Sequence, residues 1–75
     1  MKIQNISTLR IVLDDDYYCD VIPSIDADGT HDFYLRERGT DNSTFMFAVA
    51  IESAEQAAIL AESNADHYKE ITDDN

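Results

Sequence analysis

Carboxylates are the side chains in this sequence that could do chemistry, together with one thiol and two imidazoles. Sixteen Asp and Glu stand against five Lys and Arg in 75 residues, for a formal net charge of −11. Between Arg10 and Arg36 there is no Lys or Arg at all. That stretch holds Asp14, Asp15, Asp16, Asp20, Asp26, Asp28 and Asp32, with Tyr17, Tyr18 and the single cysteine, Cys19. Clustered acid can bind a cation, transfer protons, or pair with a basic partner.

Cation binding fits the spacing poorly. Asp26-Ala-Asp28-Gly29 has the outline of an EF-hand loop, which needs Asp at its first position and a bidentate Glu at its twelfth. Aligned on Gly29, those positions are Ser24 and Leu35, and no helix is predicted on either side. In Asp14-Asp15-Asp16, consecutive carboxylates point in different directions. No metal and no cofactor is expected.

Catalysis fits no better. Cys19 lies in an apolar run and reads as a small buried side chain. His31 stands beside Asp32, and His67 lies between Asp66 and Tyr68. Both read as surface or boundary residues, with no spacing that brings a base to a nucleophile or gathers ligands. Two glycines cannot build a phosphate-cradling loop. The chain is not expected to be an enzyme.

Pairing with a basic partner remains. Alternate residues on a strand face lie about 6.6–6.8 Å apart, and duplex DNA carries one charge per ~3.4 Å along each strand. Asp14, Asp16 and Asp20, with Glu55, Glu62, Asp66 and Glu70, would form an anionic track of comparable pitch. Direct nucleic-acid binding is disfavoured by the sign of the charge, since affinity for DNA comes mainly from neutralising phosphates. Tyr18 and Tyr34 are the candidate contact anchors, because Tyr joins a large apolar area to a polar tip. Arg36 and Arg38 are expected to pair with acid inside the molecule.

The elements that must position these residues follow from periodicity. Thr8 to Leu13 and Tyr17 to Ile22 alternate as strands, separated by the polar turn Asp14–Asp16. Pro23 ends the second. A loop from Ser24 to Thr30, closed by Asp28-Gly29, leads to a third strand, His31 to Arg38. After the turn Gly39–Ser43 comes a fourth, Thr44 to Ile51, with Phe45, Phe47, Val49 and Ile51 expected inward and Met46, Ala48 and Ala50 outward. Ser53 caps a helix, and Gln56 three residues on completes a capping-box pattern. Ala57, Leu60, Ala61, Ala65 and Tyr68 form its apolar stripe, placing it over Ala54 to Glu70.

The expectation is one α+β domain over residues 1–75: a four-stranded antiparallel β-meander with one C-terminal helix packed on one face. Residues 72–75 are expected to form a frayed tail. The other sheet face would carry Arg10, Val12, Tyr18, Ile22, Tyr34, Met46, Ala48 and Ala50, too apolar for plain solvent-facing surface. The start of the chain lacks a secretory apolar stretch, and no segment approaches the ~18 apolar residues of a membrane span. The expected location is the cytoplasm, away from membranes.

A very short, acidic, single-cysteine chain with strands first and an Ala-rich capped helix last (Ser53-Ala-Glu-Gln-Ala-Ala-Ile-Leu-Ala) resembles small phage-encoded inhibitors of the anti-CRISPR type. The resemblance is one of composition and layout over the whole chain. It implies a viral, non-enzymatic inhibitor acting in the host cytoplasm. Such a protein would bind a basic nucleic-acid-handling complex, such as a CRISPR-Cas effector, and block its nucleic-acid site as a DNA mimic. Asp14, Asp15, Asp16, Asp20, Asp26, Asp28 and Asp32 would supply the charge, with Tyr18 and Tyr34 as anchors. The alternative is a small structural or assembly protein that forms a homodimer through the open sheet face.

Overall fold

In the computed structural model, residues 8–25 and 29–73 are described. Asp26 and Asp28 lie outside them, as do Asp74 and Asn75. Four strands, β1 (Leu9–Val12), β2 (Tyr17–Pro23), β3 (Thr30–Glu37) and β4 (Ser43–Ala50), precede one helix, α1 (Ala54–Asp73). The strands lie in sequence order in one antiparallel sheet, the expected α+β meander.

The β1–β2 and β3–β4 connections are closed by local polar chemistry. At the β1–β2 turn, Asp14 Oδ1 accepts from the backbone N–H of Asp16 (2.8 Å) and of Tyr17 (2.9 Å), the Asx geometry that lets a short acid mimic a backbone turn. The β3–β4 turn uses Gly39 at φ +83°, where a side chain would be strained. There Asn42 Nδ2 donates to Glu37 Oε1 at 2.8 Å. The backbone N–H of Arg38 donates to the carbonyl of Asp16 at 2.7 Å, so the two turns are tied side by side at one end of the sheet.

The helix starts as its cap predicts. Ser53 Oγ accepts from the N–H of Gln56 at 3.1 Å. The Gln56 side chain reaches back to the N–H of Glu52 at 2.6 Å, one residue beyond the box geometry. Ala57, Ala61 and Ala65 are buried against the sheet. Their small side chains bring the helix close over Cys19, Val21, Phe33 and Leu35, all fully buried. Phe47 bridges the layers, 4.8 Å from Phe33 and 6.3 Å from Tyr68 between ring centres.

The structure departs from the sequence pattern in three places. First, β4 carries a bulge: Phe33 pairs with Phe47, but Tyr34 pairs with Phe45, leaving Met46 as the extra residue. Two residues facing one reverse the alternation beyond that point. Phe45, expected inward, is therefore 52% exposed on the open face, and Met46, expected outward, is buried with its sulfur 3.8 Å from Cys19 Sγ. An unbranched thioether fills such an irregular gap well. Second, His31 is buried rather than on the surface or boundary, because its strand parity places it on the helix-covered face with Phe33 and Leu35.

Third, the helix runs past Glu70 to Asp73, and Thr72, expected to begin the frayed tail, is fully buried. Its hydroxyl donates to the Tyr68 carbonyl at 2.8 Å and lies 2.7 Å from Thr44 Oγ1. The Thr44 contact pins the helix end to β4.

With so thin a core, its large members decide stability. Leu35→Ala is expected to cost about 2–5 kcal/mol, a large share of the roughly 4–11 kcal/mol available to a chain of this size. Urea unfolding should show the loss as a lower midpoint with an unchanged slope.

Candidate functional site

Register brings the charged residues of the open face together. Arg10 lies opposite Asp20, Asp20 opposite Tyr34, and Tyr34 opposite Phe45, giving one row across all four strands. The next row is Val12, Tyr18, Arg36 and Ser43. Asp20 is at the centre, only 8% exposed. Arg10 Nε donates to its Oδ1 at 3.0 Å, and Arg36 Nε donates to its Oδ2 at 2.8 Å. Arg36 also donates from Nη1 to Ser43 Oγ at 3.3 Å. Hydrogen bonding to Asp20 raises the Arg10 pKa above its ordinary value.

Aromatic rings flank the cluster. The Arg10 guanidinium lies 4.3 Å from the centre of the Tyr18 ring, with Arg38 at 5.3 Å from the same ring, and Arg36 lies 5.4 Å from that of Tyr34. Tyr34 in turn meets Phe45 edge-on at 5.5 Å. The result is an Arg–Asp–Arg clamp bordered by Tyr18, Tyr34 and Phe45, with Val12 at one edge strand and Ala48 and Ala50 on the other.

The remaining candidate acids have separate fates. Asp14 is engaged twice over, since its Oδ2 also accepts from Lys69 Nζ at 2.8 Å. Asp15 and Asp16 are exposed at the tip of the turn. Asp32 accepts from Ser24 Oγ at 2.6 Å near the opposite end of the sheet. Asp26 and Asp28 fall outside the described residues. The expected continuous track through Asp14, Asp16 and Asp20 is thus divided: only Asp16 of the three has no ion pair among the described residues.

Acid with fewer internal partners lies on α1. Glu55, Glu62, Asp66 and Glu70 are exposed on its outer side, together with Ile59 and Ile71. Among the described residues, the one cation near them is Lys69, 3.7 Å from Asp66 but closer to Asp14. At 1.5 Å rise per residue, Glu62, Asp66 and Glu70 succeed one another every ~6 Å. Exposed Asp15, Asp16 and Asp41 extend the acid around the end where the helix terminates.

Cys19 has no exposed surface. Burial pushes its thiol up to about 12, with the charge of neighbouring Asp20 adding to the effect. A thiol so placed stays protonated at neutral pH and is a poor nucleophile. Among the described residues, no three His, Cys, Asp or Glu side chains gather as a metal would require, and no helix is long and apolar enough to cross a membrane. No family model, curated protein or solved structure matches the chain.

The Arg–Asp–Arg clamp was not read from the sequence. Its signal, an Asp inside an apolar strand with Arg on both neighbouring strands, appears only once the register is known. Its members are unequal. Asp20→Asn leaves two guanidinium groups facing a neutral amide at a nearly buried position and is expected to cost about 1–3 kcal/mol. Arg10→Gln should cost less than Asp20→Asn, because the Arg10 side chain is 60% exposed and such pairs are screened. Chemical denaturation of the two variants side by side checks the order.

The Asp14–Lys69 pair makes a pH prediction. The hydrogen bond from Lys69, helped by the Asp16 N–H, holds the Asp14 carboxyl below its ordinary 3.8. The same bond raises Lys69 above 10.5. A depressed acid stabilises the fold above its unfolded value, and the effect is lost as pH falls through the folded value. A raised base stabilises below its unfolded value, and the effect is lost as pH rises through the folded one. The tether between helix end and turn should therefore hold across the neutral range and loosen at both extremes. Lys69→Met is expected to move the Asp14 midpoint up toward 3.8, as followed by carboxyl-carbon NMR. An unmoved midpoint would show that the turn N–H groups depress it alone.

Proposed function

We propose that the protein is a non-enzymatic acidic inhibitor that engages a basic, nucleic-acid-handling protein complex and blocks its nucleic-acid site. A CRISPR-Cas effector is a target of the kind that the resemblance implies. The observation that carries this reading is the distribution of cations. Of the five Lys and Arg, Lys2 lies outside the described residues. Arg10 and Arg36 hold Asp20, Lys69 holds Asp14, and Arg38 lies against Tyr18. The outer side of α1 and the tips at Asp15, Asp16 and Asp41 keep their charge for a partner.

The geometry suits a groove built for phosphates. Carboxylates every ~6 Å along α1 match roughly every second phosphate of a DNA strand. The helix C-terminus adds partial negative charge at the same end as the acidic turn. Ile59, 59% exposed between Glu55 and Glu62, supplies apolar contact where charge alone would be screened. Charge of this kind acts first on encounter rate and makes affinity fall with salt.

Competition tests the proposal. A basic effector complex is loaded with labelled duplex DNA, and the protein is titrated in at several salt concentrations. Displacement of the DNA is expected, weaker at higher salt, and abolished by joint Glu62→Lys, Asp66→Lys and Glu70→Lys replacement. A complex that forms while the DNA stays bound removes the mimicry mechanism.

A further inference from the structure

We propose that the outer edge of β4 is a strand-addition site. It takes an extended segment of a basic partner protein, apolar at alternate positions in an uncharged middle, with Lys or Arg at its ends. That partner need not handle nucleic acid.

β4 is an edge strand, since the sheet order is β1-β2-β3-β4. Its ladder to β3 fixes which main-chain groups point outward. The N–H of Ser24 donates to the Thr30 carbonyl, and the N–H of Glu37 donates to the Asn42 carbonyl. Thr30 thus turns its main-chain groups to β2, and Glu37 turns toward the strand on its other side. Thr30 lies opposite Ala50, Asp32 opposite Ala48 and Arg36 opposite Ser43. By the alternation of an antiparallel ladder, the N–H and C=O of Ser43, Ala48 and Ala50 face away from β3. Among the described residues, no group bonds to them there. Main-chain groups left in this way are a template for another strand.

The two edges of the sheet differ. β1 has four residues, carries Arg10 and runs toward Asp14, Asp15 and Asp16. Shortness and charge are common protections of an edge. β4 has eight residues, none of them charged. Residues 42–51 form the longest run of the chain without Asp, Glu, Lys or Arg. The bulge at Met46 interrupts the ladder but leaves residues 47–50 regular. The core is also open along this edge. Phe33 and Leu35 on β3 have no exposed surface, whereas Phe47 and Val49, which pack against the same core, are only half-buried. An added strand with apolar residues on one side would finish covering them. Its other side would lie beside exposed Ala48 and Ala50, whose small side chains offer no obstruction.

The surrounding charge decides the occupant. Exposed Asp41 and Glu52 stand at the two ends of the uncharged run, on a chain of net charge −11. An incoming strand meets no charge along β4 and a carboxylate at each end. Cations at its own ends complement those carboxylates. A second, antiparallel copy of β4 would match the main chain, but it would set Asp41 and Glu52 together at each end of the seam. In strand addition the main-chain bonds give affinity, and the side chains give the choice of partner.

A defined peptide tests the site: valine and threonine in alternation, with lysines at both ends. Titrated to about 1 mM into the full isotope-labelled chain, it should shift the NMR amide signals of residues 43–50. Hydrogen exchange at Ser43, Ala48 and Ala50 should slow. Two control peptides, one with glutamates in place of the lysines and one with its middle N–H groups methylated, should each bind at least about tenfold more weakly. Ala48→Pro removes an outward N–H that the β3 ladder does not use. It should weaken the lysine peptide by a similar factor while circular dichroism shows the fold retained, and the methylated peptide gives the same readout without any variant. No shift at that concentration, shifts centred on α1, equal binding by either control, or a folded Ala48→Pro chain that binds as before overturns the proposal. So does protection of Ala48 and Ala50 without peptide that is lost on dilution, since a second copy would then hold the edge. DNA displacement does not enter these readouts, so strand addition and DNA mimicry fail separately.

Discussion

A four-stranded sheet has two faces, and the described part of this chain supplies one helix to cover them. That inequality shapes the rest of the molecule. The helix-covered side is solved by size: Ala57, Ala61 and Ala65 admit the helix closely, and Phe33, Leu35, Val21 and Cys19 fill the space beneath. The uncovered side is not solved in the same way, because among the described residues no helix packs over it. It is solved by pairing charge across strands. Asp20 is withdrawn into the centre by two arginines from its two neighbouring strands, and their flat guanidinium groups lie against Tyr18 and Tyr34. The long side chains thereby shield part of the sheet that would otherwise be open.

A charge excess of this size opposes compaction, and the placement of the few cations shows where that opposition matters most. Lys69 joins the last turns of α1 to the β1–β2 turn, a contact between residues 55 apart in sequence. Arg10 and Arg36 join β1 and β3 through β2. Arg10, Arg36 and Lys69 thus each close a contact between segments at least 10 residues apart, where acidic segments would otherwise repel. The carboxylates left over point outward from the helix and the turn tips, where high dielectric and salt weaken their mutual repulsion. One arrangement both permits folding and leaves an anionic exterior.

Much of the fold was legible because its signals are local. The alternation in β2 and β3, the Asp-rich and Gly-containing turns, and the Ser53 cap with its alanine stripe each depend on residues a few positions apart. The misreadings came where a local signal is degenerate. Phe45 and Met46 are both apolar, so nothing in the pattern reveals that the strand slips by one residue between them. Only the packing of Met46 against Cys19 and of Phe45 against Tyr34 decides it. Thr72 looks like tail until its hydroxyl finds Thr44 across the molecule. His31 carries no sign of burial except its parity with Phe33.

The candidate site was less legible for a reason that applies to acidic proteins generally. Acids near turns and within strands are conspicuous in a sequence, yet these are the positions where a fold has local uses for them. Asp14 builds a turn and receives a lysine, and Asp20 anchors a sheet face. Besides Asp15, Asp16 and Asp41 at the turn tips, acids that keep their charge free lie on a regular helix, where Glu55, Glu62, Asp66 and Glu70, read from the sequence as an extension of the anionic track, stay exposed. What distinguishes that side is the scarcity of lysine and arginine at i±3 and i±4 positions, which a typical surface helix would use for pairing. Lys69 is the one such cation, and it turns away toward Asp14. Function on this chain is therefore better sought by first subtracting the carboxylates that the fold has engaged, and then reading the charge that remains.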